Sequence, residues 1–212
     1  MPVVTIRGQL GSEAPDIGKL VADKLQTDYV DREIIAKVAE LLNTKTRDVI
    51  TKEMPPGSFL ERIGEALGRG LIGDTDYERT YVRTGEISLD DARYLTGLKS
   101  IIKELAGSES VVICGRGSQF ILKEYPRVLH VLIVAPLKMR LKRVMENLKV
   151  EEESARKKIA LSDGSRREFI KRYFHAELED PMSYDLVLNE EHLNSEAAAS
   201  IIVGALPFKT GP

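Results

Sequence analysis

Short apolar runs alternate with longer amphipathic segments along this chain of 212 residues. The short runs are rich in valine and isoleucine, which favours strands, and the longer segments repeat apolar residues every three or four positions, which favours helices. Continuous apolar runs suit strands that helices cover on both faces. We predict strands at residues 3–6, 29–30, 111–114, 128–134 and 186–188, and helices at 15–26, 32–42, 58–70, 89–106, 137–148, 151–174 and 194–205.

Strands that alternate with helices indicate an α/β fold, in which right-handed crossovers join parallel strands. We therefore predict a parallel five-stranded sheet with helices on both faces, in three layers. The length suits a single domain, residues 1–212. Residues 43–100 form a helical insertion of different composition, with Pro55-Pro56-Gly57 and repeated glycines. This insertion is either a mobile substrate-binding or dimerising lobe or a loosely packed excursion with surface loops.

The charge and the apolar content restrict the partners of this chain. A net charge of −2 provides no overall attraction to nucleic acid or to an anionic membrane, so any phosphate site is a local cluster. No segment approaches the roughly 20 apolar residues of a membrane-spanning helix. The single cysteine, Cys114, excludes an internal disulfide, and the three histidines lack ligand-like spacing. We expect a soluble cytoplasmic protein that binds neither nucleic acid nor a membrane and has no metal site of its own.

Residues 8–15 lie where a phosphate-binding loop would lie, between the first predicted strand and an amphipathic helix. A working loop reads G-x-x-x-x-G-K-[S/T], because glycine lets backbone N–H groups surround the phosphates, lysine neutralises the transferred group and the hydroxyl holds Mg²⁺. Gly8 begins such a loop, but Glu13, Ala14 and Pro15 replace its last three residues. The sequence therefore contains a degenerate Walker A loop, which argues against efficient catalysis.

The same residues also describe an ordinary helix start. Pro15 suits the first turn of a helix, and Asp16 is favourable at the positive end of the helix dipole. Carboxylates at this terminus would fill an anion site from within and repel a triphosphate by about 1–4 kcal/mol per close charge pair. A bound Mg²⁺ would reverse that sign. Arg7, at the end of the first strand, is a candidate substitute for the missing lysine.

A second motif, Gly115-Arg116-Gly117, follows the apolar run at residues 111–114. Ligands of open parallel sheets bind outside the carboxyl ends of the strands. The planar guanidinium of Arg116 can donate two hydrogen bonds to a phosphate, and the flanking glycines let a substrate approach the backbone. The alternative is a strand-to-helix turn with a solvated arginine. The loop at residues 8–15, on the same edge of the predicted sheet, favours the phosphate site.

Basic residues cluster on the predicted helices between residues 137 and 174. Arg140 and Arg143 are three positions apart and share a helical face, and Asp163 and Arg166 lie on the next helix. Such cations can converge on a polyphosphate when a lid, at about residues 140–175, closes. The alternative, which is favoured for the run as a whole, is a solvated face paired with nearby glutamates.

With these residues the chain resembles the cytidylate kinase-like family of P-loop nucleoside monophosphate kinases over nearly its whole length. The order and spacing of the similar elements are fairly specific for the family, and much less so for cytidine as the base. The elements are V-V-T-I-R-G-Q-L-G-S near the start, Y-V-D-R-E at 29–33, V-I-C-G-R-G at 112–117, I-V-A-P at 133–136, D-x-x-R at 163–166 and Y-D-L-V-L-N at 184–189.

This resemblance implies a P-loop kinase-like fold and ATP-dependent phosphoryl transfer to a nucleotide-like acceptor, with Mg²⁺, and it leaves a homodimer open. Lid arginines in such enzymes stabilise charge on the transferring group. The departure at residues 13–15 keeps a second hypothesis open, a catalytically silent nucleotide- or anion-binding module with a regulatory role. The implied residues are Gly8, Gly11 and Ser12 at the donor phosphates, Asp31 and Arg32 at the acceptor nucleotide, Gly115, Arg116 and Gly117 at its phosphate, and Arg140, Arg143, Asp163 and Arg166 in the lid.

Overall fold

A computed structural model describes residues 2–31, 33–52, 91–108 and 110–209. The predicted helix at residues 58–70, most of the insertion at 43–100 and the candidate residue Arg32 lie outside the described residues. Within the part of the chain that is described, no helix is long and apolar enough to cross a membrane.

The five described strands form one parallel sheet in the order β2-β3-β1-β4-β5. The predicted strands are all present, and β1, β2 and β5 extend beyond the predicted limits. β1 pairs with β3 and β4, so its last residue, Gly8, lies opposite Ile133. The bounds are β1 Val3–Gly8, β2 Asp28–Val30, β3 Val111–Cys114, β4 Val128–Val134 and β5 Leu186–Asn189.

The described helices agree with the predicted ones within two residues at each end, apart from two that the pattern did not predict. These two are a helix inside the insertion and a four-residue helix after β3. The helices are α1 Ala14–Leu25, α2 Glu33–Leu41, α3 Thr46–Lys52, α4 Asp91–Ser108, α5 Ser118–Ile121, α6 Leu137–Leu148, α7 Glu152–Phe174 and α8 Ser195–Ala205.

Two apolar clusters cover the two faces of the sheet. On one face, Val4 and Ile6 of β1 pack with α1 and α8. On the other face, Val3 of β1 and Val111 and Ile113 of β3 pack with α2, α3, α4, α5 and the end of α7. The alternation of side chains along β1 therefore sends Val4 and Ile6 to one layer and Thr5 and Arg7 to the other.

The carboxyl edge of the sheet has its topological switch point between β1 and β3. The chain leaves β1 through α1 on one face and leaves the neighbouring β3 through α5 on the other face. A crevice forms where adjacent strands connect in opposite directions, and ligands of open α/β sheets bind there. The loop at residues 8–13 and the turn at residues 115–117 both lie at this crevice.

Helix α6 and the first part of α7 pack beside the loop, whereas the end of α7 packs on the sheet. Leu141 and Val144 of α6 contact Ala155 and Ile159 of α7, and Leu10 of the loop packs against this cluster. The arginine-bearing helices are therefore joined to the loop by an apolar contact as well as by their charges.

Candidate functional site

The loop after β1 is a tight turn that requires glycine at two positions. Gly11 has a φ angle of +83°, and a Cβ atom there would lie 2.7 Å from the carbonyl oxygen of Arg140. A Cβ atom at Gly8 would overlap the Cβ atom of Ala14. The Ser12 N–H donates to the carbonyl oxygen of Gln9 at 3.0 Å. The loop therefore keeps the compact turn of a phosphate loop.

The helix-start interpretation of residues 13–16 is confirmed. Helix α1 begins at Ala14, Pro15 lies in its first turn, and Asp16 lies at the positive end of the helix dipole. The first N–H groups of a helix have no partner within the helix and bind anions readily. Glu13 lies just before the helix, and the hydrogen-bond partner of its N–H group determines whether that group is available to an anionic ligand.

That partner is Glu190, a residue that the sequence analysis did not select. The Glu13 N–H donates to Oε1 of Glu190 at 2.7 Å, and Glu190 is only 3% exposed. Glu190 follows β5, and its own N–H donates to the carbonyl oxygen of Val134. Burial raises the pKa of Glu190, while Arg143 and the Glu13 N–H oppose that shift. A carboxylate of the protein thus occupies the anion position of the loop.

Arg143 connects the two carboxylates at the start of α1. Its guanidinium lies 2.5 Å from Oε2 of Glu190 and 2.8 Å from Oε1 of Glu13, and it donates to the Gly11 carbonyl oxygen at 3.3 Å. The hydroxyl of Ser195, at the start of α8, donates to the other Glu13 oxygen. The side chain of Glu13 is therefore held beside the loop, and Arg143 binds oxygen atoms of Glu13, Glu190 and Gly11.

The raised pKa of Glu190 gives a pH prediction. A carboxyl group with a raised pKa holds its proton at higher pH in the folded chain than in the unfolded one, so its contribution to stability falls as pH rises from about 4.5 through the folded value. Between pH 4 and 7 we expect wild type to lose unfolding free energy relative to Glu190→Gln, measured by urea unfolding. Parallel profiles would contradict this, and Glu191→Gln, at the exposed neighbour, is the control.

Arg140 and Arg166 also bind the loop through its backbone. Arg140 donates to the Leu10 carbonyl oxygen at 2.7 Å and forms an ion pair with Asp163 at 2.6 Å, in which both side chains are less than a tenth exposed. Arg166 donates to the Gly8 carbonyl oxygen at 3.0 Å. The predicted lid residues therefore converge on the loop, but they bind protein groups there.

In the turn after β3, the two glycines do not both have the predicted role of giving a substrate access to the backbone. Gly115, Arg116 and Gly117 all have positive φ angles. A Cβ atom at Gly117 would lie 2.5 Å from the ring of Phe174, so this glycine admits a side chain of α7 rather than a substrate. At Gly115 the space beside the backbone is open. Only Gly115 therefore has the access that was predicted for both glycines.

Arg116 lies at the carboxyl edge of β3, as its position in the sequence predicts. Its side chain is 11% exposed, which is far less than a solvated arginine, and its guanidinium lies 3.8 Å from Oδ1 of Asp31. Asp31 follows β2, the neighbouring strand, and its side chain is 32% exposed. The structure therefore brings together two of the residues that were predicted for the acceptor side.

A model of the cytidylate kinase-like family matches residues 3–192. The chain belongs to the cytidylate kinase-like family. With the sheet topology and the loop after β1, this confirms both the predicted resemblance and the P-loop kinase-like α/β fold.

Individual relatives are similar over parts of the chain. A cytidylate kinase from Sulfolobus acidocaldarius is 33% identical over 81 residues, which are 38% of this chain and 44% of that protein. A uronate isomerase from Corynebacterium glutamicum is 30% identical over 98 residues, 46% of this chain and 19% of that protein. The match thus spans less than half of each relative. A crystal structure of an uncharacterized protein from Eubacterium ventriosum has a TM-score of 0.69 at 18% identity and covers 98% of both chains.

The cytidylate kinase-like family implies Mg·ATP as the phosphoryl donor, and the loop does not fit that group in this arrangement. The Glu13 N–H is bonded to the Glu190 carboxylate, Glu13 adds a second negative charge, and Ala14 provides no ammonium group. A triphosphate placed there would meet two carboxylates, each costing on the order of 1–4 kcal/mol. Ser12 is the hydroxyl residue left in the loop, and its side chain lies 3.4 Å from the Ala14 N–H.

Proposed function

We propose that this member of the cytidylate kinase-like family binds a nucleoside monophosphate at the switch point without transferring phosphoryl groups from ATP. The hydrogen bond from the Glu13 N–H to the buried Glu190 carboxylate carries this proposal. It favours the hypothesis of a nucleotide-binding module over that of an active kinase, because the donor position is filled by a group that the fold itself supplies.

The acceptor side supports the binding half of the proposal. Arg116 and Asp31 lie together at the ends of β3 and β2, and Gly115 leaves open space beside the backbone. A guanidinium at this edge can bind the phosphate of a monophosphate, and a half-buried carboxylate can accept from a sugar hydroxyl or a base amino group. Cytidine monophosphate is the first ligand to examine, since the matched relative is a cytidylate kinase.

Replacing Arg116 by Met should weaken binding of cytidine monophosphate by about 1.5–3 kcal/mol, the contribution of a charge-assisted contact. The methionine keeps an apolar stem of similar length, so the melting temperature should change little. Isothermal titration calorimetry measures the affinity, and Arg167→Met, at an exposed position of α7, is the matched control. Equal affinity in the two variants, or a large loss of stability in Arg116→Met alone, would remove Arg116 from the site.

A second candidate function is ATP-dependent phosphoryl transfer to the same nucleotide. The observation in its favour is that Arg140, Arg143 and Arg166 converge on the loop from α6 and α7. This function requires Arg143 to leave both Glu13 and Glu190. A coupled assay with ATP, Mg²⁺ and cytidine monophosphate distinguishes the two candidates. Turnover in the usual range of kinases, about 1–100 per second, would contradict the binding-module proposal.

A further inference from the structure

Arg7 is a buried cation at the switch point that none of the contacts described above uses. It is the penultimate residue of β1, and the side-chain alternation of the strand places it on the face covered by α7. The residue is 9% exposed. Its neighbour Gly8 accepts a hydrogen bond from Arg166, so two guanidinium groups approach the same end of β1.

Among the described residues, no hydrogen bond or ion pair joins the Arg7 guanidinium to another group. The other arginines near the loop are all bound to oxygen atoms: Arg140 to Asp163, Arg143 to two glutamates, and Arg166 to Gly8. Buried guanidinium groups are costly unless they are paired and hydrogen-bonded. Arg7 is therefore an exception that needs a partner.

The surroundings of Arg7 do not neutralise it. Burial and the nearby Arg166 lower the pKa of Arg7 to about 9, so it is still charged at neutral pH. Burial raises the pKa of Tyr184 to about 12 and also raises that of the Cys114 thiol, so both are neutral there. Among the described residues, Asp163 is the remaining acidic neighbour that acts on Arg7; its Oδ2 pairs with Arg140, and its Oδ1 has no hydrogen-bond partner.

The local charge is therefore strongly positive. Arg7, Arg140 and Arg166 bring three positive charges to this region, and Asp163 brings one negative charge, among the described residues. Groups without charge also lie there: Tyr184 is near Arg7, and its hydroxyl accepts from Gln119 at 3.0 Å. On the same face of the sheet, in α5, the buried hydroxyl oxygen of Ser118 has no hydrogen-bond partner among the described residues. Such a set of groups is suited to a doubly charged oxyanion.

We propose that Arg7 and Arg166 form a phosphate-binding site between the ends of β1 and β3, separate from Arg116, that takes one tetrahedral dianion. The ligand is inorganic phosphate or the phosphate of a larger molecule, since both present the same oxygens and charge. The site lies on the α7 face of the sheet, whereas the anion position of the loop, on the Glu13 N–H, is filled by Glu190. The proposal does not depend on nucleotide binding at Arg116.

The test is titration of inorganic phosphate into the full chain in a buffer free of phosphate and sulfate. Wild type should bind, Arg7→Met should lose at least about tenfold in affinity, and Arg167→Met, at an exposed position of α7, should change the affinity by less than about threefold. Without phosphate, Arg7→Met should melt no lower than wild type, because among the described residues the Arg7 guanidinium has no hydrogen bond or ion pair to lose. Arg7→Lys should restore part of the affinity, and Arg166→Met provides a second variant if Arg7→Met fails to fold.

Three results would overturn the proposal: no binding of phosphate by wild type at millimolar concentration, unchanged affinity in both Arg7→Met and Arg166→Met, or loss of phosphate binding in Arg116→Met alone. Repeating the titration with saturating cytidine monophosphate separates the two sources of the ligand. Undiminished phosphate binding supports a site for the free ion, and competition that requires Arg7 supports a site for the ligand's own phosphate. A failure to bind cytidine monophosphate contradicts the proposed function and leaves the phosphate site standing.

Discussion

Replacing Asp163 by Ala should lower the free energy of unfolding by about 3–5 kcal/mol, which for a chain of this size is a fall in melting temperature of about 6–20 °C. The substitution leaves the Arg140 guanidinium, which is 6% exposed, with the Leu10 carbonyl oxygen as its remaining bond. An uncompensated buried charge is far more costly than a lost surface ion pair. Chemical denaturation and calorimetry both measure this loss.

The control for Asp163→Ala is Glu152→Ala on the same helix. Glu152 pairs with Arg156 four residues away, and both side chains are more than half exposed, so this substitution should cost no more than about 1 kcal/mol. The double variant Arg140→Met with Asp163→Leu should recover most of the stability, because it removes both buried charges. Similar losses for Asp163→Ala and Glu152→Ala would show that the buried pair does not hold the loop.

Replacing Glu190 by Ala should raise the affinity for Mg·ATP at least tenfold. The substitution frees the Glu13 N–H, removes one negative charge from the anion position and leaves Arg143 with a single carboxylate partner, Glu13. Removing one close charge repulsion contributes on the order of 1–4 kcal/mol, and about 1.4 kcal/mol is a factor of ten. Glu191→Ala, at the exposed neighbouring residue, should have no such effect.

A variant of the loop residues tests the same position together with Glu190. The triple change Glu13→Gly, Ala14→Lys and Pro15→Ser restores the last three residues of the consensus loop. While Glu190 is present, this change should raise the affinity for Mg·ATP less than it does when it is combined with Glu190→Ala. Isothermal titration calorimetry with Mg·ATP compares the affinities of the triple variant and the combined variant. If the folded combined variant gains nothing, residues 8–15 are not a phosphate cradle. Micromolar affinity in wild type would instead show that the loop works as it stands.

One polar cluster connects these contacts; it consists of Glu13, Glu190, Arg143 and Ser195. It joins the start of α1 to the end of β5, to α6 and to the start of α8, so four elements meet at the anion position. We propose that phosphate ligands bind elsewhere in the crevice between β1 and β3. Both proposals, at Arg116 and at Arg7, concern that crevice.

The sequence by itself determined the α/β class, the parallel sheet and the family. The runs at residues 111–114 and 128–134 became β3 and β4 without change, because strands buried on both faces are mostly apolar; the polar exception in β4, His130, is hydrogen-bonded to Thr5. Pro15 and Asp16 also behaved as predicted, since helix-start preferences act within a few residues. Such local preferences can be read directly from neighbouring positions in the chain.

Only the tertiary structure decided which oxygens the charged residues bind. Glu190 lies 177 residues from Glu13, and its carboxylate reaches the loop because β5 ends near β4 at the same edge of the sheet. Arg140 and Arg143 were selected from the sequence, but burial and the nearest carboxylates fixed their partners, and nothing in the local pattern encodes those distances. Electrostatic energy depends on separation in space and on exposure to water, and both are set by the packing of distant segments.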